Sequence, residues 1–238
     1  MKLCFMCDLH LPFCKNALQY KVLDWAIKDI NNKDIDCIVF AGDVTCDGNI
    51  DIYKAFIKLM QGLNIPFLFI PGNSDLRCKK SREEISKISS DCINKIGDKL
   101  IFAVNDCNGK ITDEQFEALN SANDDSIVFM HHPDYIFSQF CRERLGEWRK
   151  NHPKTKLFYG HKHISKIDNN NISLQAMDPD KANGEEPCIT YYDTEFDIIE
   201  KAYFKASVPS DLHSYFGISC YKIFDNIDFA IKNNFKKP

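Results

Sequence analysis

The 238-residue sequence lacks any apolar run that approaches the length needed to cross a membrane. It also lacks a secretory signal pattern, because its first residues enter an apolar, strand-like run directly. Positive charge is not in excess, since 30 Lys and Arg residues against 34 Asp and Glu residues give a net charge of −4. We therefore predict a cytoplasmic protein that has no membrane partner and that does not bind nucleic acid.

Internal repeats, low-complexity tracts and long linkers are missing as well, so a single domain over residues 1–238 is the simplest organisation. A hydrophobic content of 44% is sufficient for a sizeable core. The eleven cysteines are an odd number, and several lie inside apolar runs, which indicates buried, reduced thiols rather than disulfides. Cys4 and Cys7 point to opposite faces of a predicted strand, so we expect core positions for them and not a redox pair.

What the sequence does contain is a series of five apolar runs that each end in a short polar signature. Near-continuous apolar runs are typical of buried strands in a largely parallel sheet, and sites form at the carboxyl edge of such sheets. Carboxylate, amide and imidazole groups gathered at one edge predict a metal site. The signatures are, in chain order, Asp8-Leu9-His10, Gly42-Asp43, Gly72-Asn73-Ser74-Asp75, His131-His132-Pro133 and Gly160-His161-Lys162-His163.

Each signature has a simpler interpretation when it is taken alone. The first could be a strand end whose carboxylate caps a loop, and the second and third are common turns. The fourth and fifth are harder to explain by packing, because they place two histidines directly after a buried strand. Asp8 and His10 of the first signature are spaced i, i+2, which allows both to bind one ion, and the two histidines of the fifth have the same spacing directly after a glycine. The five in series therefore favour a metal site.

The rest of the chain alternates between predicted helices and strands. After residue 160, two short strands are expected around a polar turn at residues 168–171, followed by an exposed loop over residues 177–187. A hairpin of residues 189–193 and 196–204 and an amphipathic helix from Cys220 to Ile231 are expected to fill residues 188–238. Apolar residues at helical spacing predict earlier helices over residues 17–30, 50–63, 81–96 (with a capping box at Ser81), 112–119 and 138–150.

The series D-x-H, G-D, G-N, H and G-H-x-H over residues 8–163 resembles the calcineurin-like metallophosphoesterase superfamily, in the family's own order. Amidohydrolase-type chains begin with an H-x-H pair, whereas here that pair comes last. The resemblance implies an α/β fold, a sandwich of two mixed β-sheets flanked by α-helices. It also implies hydrolysis of a small phosphorylated substrate, a phosphate monoester or diester, by a metal-bridging hydroxide.

The resemblance implies a ligand set for two metal ions. Asp43 would bridge them and, with Asn73, belong to the catalytic machinery. Mixed nitrogen and oxygen ligation without thiolate favours Mn, Fe, Zn or Ni over Mg or Ca. In the family's pattern one ion is held by Asp8, His10, Asp43 and His163, and the other by Asp43, Asn73, His131 and His161.

The sequence departs from the family pattern at Ser74, where many members have a histidine that assists the leaving group. His132 is a candidate replacement, and a packing or hydrogen-bonding role for it is the alternative. Two other functions stay open at this point. One is a nuclease of the same superfamily, although the chain lacks the basic or aromatic extension expected of one. The other is a metal-binding scaffold with little catalysis, against which all seven filled ligand positions speak.

Four cations follow the third signature, at Arg77, Lys79, Lys80 and Arg82. They could simply be a solvated loop and helix start. Cations at a helix N-terminus oppose the helix dipole, however, so local helix stability does not explain them. We therefore predict that they help to collect an anionic substrate, with Arg77 as a phosphate-binding residue because of its bidentate guanidinium.

Overall fold

The structure is a computed structural model that describes residues 1–205. The predicted C-terminal helix from Cys220 to Ile231 lies outside the described residues. The strands are β1 (Lys2–Met6), β2 (Cys37–Ala41), β3 (Phe67–Ile70), β4 (Ile93–Ile96), β5 (Lys99–Ala103), β6 (Ile127–Met130), β7 (Lys156–Tyr159), β8 (Lys166–Asp168), β9 (Asn171–Ser173), β10 (Cys188–Asp193) and β11 (Ile198–Tyr203). The α-helices are α1 (Leu18–Asn31), α2 (Ile50–Gln61), α3 (Arg82–Ser86), α4 (Asp113–Leu119) and α5 (Gln139–Asn151).

Within residues 1–205 the strands form two mixed sheets. The first sheet has the order β11-β10-β1-β2-β3, and the second has the order β4-β5-β6-β7-β9-β8. Strands β1, β2 and β3 are parallel to one another, as are β5, β6, β7 and β9, whereas β10, β11, β4 and β8 pair antiparallel. The five signatures therefore follow parallel strands as predicted, but three belong to the first sheet and two to the second.

The two sheets face each other across an apolar layer, and helices cover their outer faces. In the middle layer Phe5 of β1 and Phe158 of β7 stack with ring centroids 3.8 Å apart. Helices α1 and α2 pack on the first sheet, where Phe56 contacts Phe40 edge-on at 4.7 Å. Helices α4 and α5 pack on the second sheet through residues such as Trp148. The expected sandwich of two mixed sheets flanked by helices is confirmed.

The cysteine prediction for β1 is confirmed. Cys4 and Cys7 are both fully buried, with Cys4 in the layer under α1 and α2 and Cys7 in the layer between the sheets. Both are free thiols. Burial raises the pKa of each thiol well above its ordinary value, which keeps them protonated and unreactive.

Four of the five predicted helices are confirmed, as α1, α2, α4 and α5. Three of them begin with a side-chain N-cap. The Asn49 side chain accepts hydrogen bonds from the first turn of α2, Thr112 forms a capping box with Gln115 at α4, and the Ser138 side chain accepts from an amide in the first turn of α5. Within residues 1–205, no helix is long and apolar enough to cross a bilayer.

The prediction of one helix over residues 81–96 is wrong. Helix α3 ends at Ser86, and Ile93–Ile96 forms the edge strand β4, which turns at Gly97 into β5. The helix ends because Ser90 pairs with Phe69 of β3, through Ser90 N–H to Phe69 O and Phe69 N–H to Ser90 Oγ, both at 2.9 Å. The capping box is also wrong, since the Ser81 hydroxyl donates instead to the carbonyl of Gly48 at 2.6 Å.

The predictions for residues 166–204 hold, with one correction. Strands β8 and β9 flank the polar turn, and β10 and β11 form the hairpin. The loop over residues 177–187 is irregular as expected but is not exposed throughout, because Met177, Asp178 and Ala182 are buried. The reason is a pair of backbone hydrogen bonds that lay this loop along the end of β1, from Met177 N–H to Cys7 O and from Asp178 N–H to Asp8 O.

Candidate metal centre

The five signatures meet where the carboxyl ends of the two sheets face each other. Each predicted metal ligand lies within four residues of the end of its strand, so the sheets fix the starting point of every side chain. All are buried or half-buried. The structure brings together the complete predicted set: Asp8 and His10 after β1, Asp43 after β2, Asn73 after β3, His131 after β6, and His161 and His163 after β7.

The backbone at this edge adopts a conformation that L-residues rarely take. Of the nine non-glycine residues with positive φ in the described part of the chain, five are predicted ligands, so the unfavourable backbone conformations are concentrated at the site. Each costs about 1–2 kcal/mol. The five are Asp8 (φ 52°), His10 (48°), Asp43 (59°), His161 (66°) and His163 (56°).

Hydrogen bonds between neighbouring loops hold these residues in place. The amides of Asp8 and His10 donate to the carbonyls of Gly42 and Asp43, at 2.9 and 3.0 Å. Across the sheets, the amide of His161 donates to Asp8 Oδ2 at 2.9 Å. Because these bonds link the first signature to the second and fifth, the first and second sheets are tied together at the site itself.

Two glycines of the signatures are required for close approach. A Cβ atom on Gly72 would collide with Oδ1 and the amide nitrogen of Asp43. A Cβ atom on Gly160 would lie 2.7 Å from Asp8 Oδ2. Any other residue at either position would push a carboxylate out of the cluster, so these glycines serve packing at the site rather than turn flexibility.

The first side-chain cluster contains Asp8, His10, Asp43 and His163, whose ligand-type atoms all lie within 4.8 Å of one another. His163 Nε2 is 3.3 Å from Asp8 Oδ1 and 3.4 Å from His10 Nε2. The Asp8 Oδ1 atom is buried and has no hydrogen-bond donor in the described part of the chain. A buried carboxylate oxygen that faces imidazole nitrogens in this way fits a metal cation.

The second cluster converges on the side-chain oxygen of Asn73. His131 Nε2 lies 3.0 Å from Asn73 Oδ1, and His161 Nδ1 lies 2.8 Å from the same atom. The other ring nitrogen of His131, Nδ1, is 2.9 Å from the carbonyl of Ala41, which fixes the ring and directs Nε2 into the cluster. Two imidazoles and one amide oxygen therefore point at one position.

Asp43 lies between the two clusters and offers one oxygen to each. Its Oδ2 is 3.6 Å from His10 Nε2, and its Oδ1 is 3.5 Å from His131 Nε2. Ser74 holds the carboxylate in this orientation, because its amide donates to Oδ1 at 2.7 Å and its hydroxyl donates to Oδ2 at 2.9 Å. Both residues are buried, so solvent does not compete for these bonds.

Burial and the neighbouring carboxylates set the protonation state of the histidines at the site. Burial lowers the pKa of His10 and of His161 to about 4, so both are neutral near pH 7 and have a free lone pair. At His131 burial acts in the same direction, but the carboxylates of Asp43 and Asp8 overcome it and raise the pKa to about 9. Without a metal, a proton on His131 therefore partly balances the carboxylates, and it would leave when a cation binds.

Two further carboxylates support the ligand loops. Asp106 accepts hydrogen bonds from the amides of His131 and His132, at 2.9 and 2.7 Å. Asp75 accepts from the amides of Gly72 and Thr45, at 2.9 and 2.7 Å, and so joins the second and third signatures. Burial and the nearby charge of Asp43 raise the pKa of Asp75 to about 7, with these donors acting in the opposite direction.

Sequence reasoning did not assign these supporting roles. Asp106 follows the apolar run of β5 at the same edge, so the signal used for the five signatures could have found it. Asp75 and Ser74 act through hydrogen bonds to residues about 30 positions away, to Thr45 and Asp43. No local pattern in the sequence indicates these contacts.

Of the other two predicted residues, His132 lies with the second cluster, because one of its ring nitrogens is within 4.8 Å of ring nitrogens of His131 and His161, and Arg77 lies at the surface. His132 is buried, its Nδ1 lies 3.2 Å from the carbonyl of Asp106, and its ring is 4.8 Å from that of His161. Arg77 is exposed, and its Nη1 donates to the carbonyl of Cys46 at 2.7 Å, on the loop that starts at Asp43. The catalytic role of His132 and the substrate role of Arg77 stay predictions.

The comparisons with known proteins agree with this geometry. The model of the calcineurin-like phosphoesterase family matches residues 1–165, so the chain belongs to that family. Over 85 residues the chain is 29% identical to a probable cyclic nucleotide phosphodiesterase of Xenorhabdus bovienii (strain SS-2004). That match covers 32% of the chain and only 34% of the relative, so the chain matches about a third of the relative's length.

Solved structures share the fold at low identity. A dimetal phosphatase from Danio rerio has a TM-score of 0.54 and 12% identity, with 80% of this chain and 92% of that chain covered. A purple acid phosphatase from yellow lupin (Lupinus luteus) seeds has a TM-score of 0.55 and 10% identity, with 84% and 52% covered. These structures show that the fold is shared, and the Asp and His clusters of this chain are suited to metal binding.

Proposed function

We propose that this protein is a binuclear metal-dependent phosphoesterase. The observation that carries the proposal is the position of Asp43, whose two oxygens face two different groups of imidazoles while Ser74 fixes the carboxylate plane. A carboxylate that bridges two cations requires this arrangement. The first ion would be held by Asp8, His10, Asp43 and His163, and the second by Asp43, Asn73, His131 and His161.

The ligand chemistry indicates the kind of ion. Imidazole nitrogens with carboxylate and amide oxygens, and no thiolate, suit Mn, Fe, Zn or Ni. When bound, two such ions would supply an activated water at neutral pH and would neutralise phosphate oxygens as negative charge develops. Because Asn73 is a neutral ligand, the loaded site keeps a net positive charge that attracts an anionic ester.

The protein's own side chains limit which leaving groups it can assist. The Ser74 hydroxyl has one proton, and that proton is donated to Asp43 Oδ2. Ser74 therefore cannot donate a proton to a departing alkoxide while this hydrogen bond exists. His132 is the remaining candidate, and its Nδ1 is oriented by Asp106. We infer a preference for esters whose leaving group is a stable anion, so that turnover depends strongly on the leaving-group pKa.

The decisive experiment combines metal reconstitution with two chromogenic esters. The purified chain is stripped with chelator, reloaded with Mn, Fe, Zn or Ni, and assayed on bis(p-nitrophenyl) phosphate and p-nitrophenyl phosphate. The proposal predicts turnover that requires metal and that disappears in Asp43→Ala. Metal binding without turnover of either ester would favour the scaffold alternative, and turnover that survives complete chelation would exclude the metal mechanism.

A further inference from the structure

Three of the exposed large apolar side chains in residues 1–205 follow closely after candidate metal ligands in the chain. Tyr135 and Ile136 lie on a short turn that directly follows His131-His132-Pro133, and they are 52% and 39% exposed. Ile164 directly follows His163 and is 48% exposed. Large apolar groups that remain in water beside a polar site often mark a surface that contacts a ligand.

Lys162 connects these two segments. It lies between His161 and His163, and its Nζ is 4.9 Å from the ring centroid of Tyr135 and 5.7 Å from that of Tyr159. Its side chain forms no ion pair with a carboxylate in the part of the chain that the structure describes. The ammonium group is therefore held by aromatic faces and keeps its charge available for an anion.

The fold does not need Tyr135 for its own stability. Phe137, two residues further on, is the member of this turn that enters the core, where it is 3% exposed and contacts the His132 ring. Hydrogen bonds from Ile136 N–H to Pro133 O and from Phe137 N–H to Asp134 O fix the turn. Tyr135 is consequently held at a defined place beside the site while its ring stays in solvent.

We propose that Tyr135 and Lys162 form a subsite for a flat aromatic group on the substituent that stays on the phosphate, so that the preferred ester has an aromatic or heteroaromatic ring on the side away from its leaving group. This inference rests on the proposed phosphoesterase function and adds the substrate class. A tyrosine ring offers a large stacking surface at low conformational cost, and the neighbouring ammonium attracts the phosphate of the same molecule. A nucleobase and a simple aryl group are the two sources of this chemistry.

The test compares two diesters that have the same leaving group. Thymidine 5′-p-nitrophenyl phosphate and methyl p-nitrophenyl phosphate both release p-nitrophenolate, and they differ only in the second substituent. Loss of a stacking partner changes affinity about 5-fold or more. We therefore expect Tyr135→Ala to raise KM for the thymidine ester at least about 5-fold and to leave KM for the methyl ester unchanged, whereas Tyr135→Phe retains wild-type KM for both.

Phe196 provides a matched control. It is also an exposed aromatic residue, at 66%, but it lies on the turn between β10 and β11. Thr194 of the same turn donates a hydrogen bond to the carbonyl of Met1, at the end of β1 opposite to the candidate site. Phe196→Ala should change KM for neither diester. An equal change of KM for both diesters in Tyr135→Ala, or no change for either, would overturn the subsite.

Two further measurements separate the possible outcomes. Bis(p-nitrophenyl) phosphate has a simple aryl ring in the place of thymidine. If Tyr135→Ala raises KM for this ester, any flat ring is sufficient for the subsite; if KM is unchanged, the subsite requires the nucleoside. If the wild-type protein hydrolyses none of these esters, the proposed function fails, and binding of thymidine 5′-monophosphate is then measured by calorimetry. Weaker binding in Tyr135→Ala than in Phe196→Ala would still support the subsite, and equal binding would refute it.

Discussion

Removal of the Ser74 hydroxyl is the most specific perturbation that the site offers. Ser74→Ala deletes one hydrogen bond to Asp43 Oδ2 and keeps the amide bond to Oδ1. Both side chains are buried, and a hydrogen bond to a charged group contributes about 1.5–3 kcal/mol. We expect the metal-free variant to lose roughly that much stability, which lowers Tm by about 3–12 °C for a chain of this size.

The same substitution should weaken metal binding. Groups that orient a metal ligand typically contribute about 10–100-fold in affinity. Since the amide of Ser74 still holds one carboxylate oxygen, we expect the lower end, about 10-fold. Calorimetric titration of the chelator-treated protein measures this directly, and elemental analysis after loading shows whether two ions still bind.

Ser81→Ala is the matched control for Ser74→Ala. Ser81 is also buried, and its hydroxyl donates to the carbonyl of Gly48, a neutral acceptor that belongs to neither cluster. This variant should lose about 0.5–1.5 kcal/mol of stability and none of its metal affinity. Equal metal affinity in Ser74→Ala and Ser81→Ala would refute the argument that Ser74 positions a bridging ligand.

Three further predictions concern the ligands and the substrate. Asp43→Asn should lower turnover more than His10→Ala, since only Asp43 faces both clusters, and near-wild-type turnover of Asp43→Asn would show that it is not a bridge. Arg77→Ala should raise KM for phosphate esters more than it lowers kcat, with metal content unchanged. Unaltered KM at both low and physiological ionic strength would show that the cation cluster is only a solvated loop. Because the pKa of His131 is raised to about 9, its proton stabilises the metal-free protein below pH 6.5 and this contribution is lost as pH rises through 9. Metal binding at pH 7.5 should therefore release a proton, which calorimetry in buffers of different ionisation enthalpy would detect, and affinity should rise toward pH 9.

The position of the candidate metal ligands at the sheet edge was predictable because their signal is local. Asp8, Asp43 and His131 each follow a buried parallel strand within two residues. Such a position places the residue at the carboxyl edge of its sheet, independently of distant parts of the chain. The presence of two sheets came from the family resemblance, and the division of the five strands between them was not predicted, because strands buried on both faces look alike in sequence.

The features that sequence reasoning missed depend on distant contacts. The apolar residues of 81–96 fit a helix, but Ser90 bonds to Phe69 and ends it. Ser74 looked like the loss of a catalytic residue, whereas its hydrogen bonds to Asp43 give it a positioning role in the structure. The left-handed backbone at His161 and His163 is disfavoured locally and is imposed by the loops packed against it.

Metal stoichiometry tests the central claim most directly. The chain is loaded with Mn, Fe, Zn or Ni after chelation, freed of excess ion, and measured by elemental analysis against protein concentration. The account predicts about two transition-metal ions per wild-type chain, and fewer in variants of either cluster, for example His163→Ala or His131→Ala. Absence of bound metal after reconstitution of the folded protein would contradict the account.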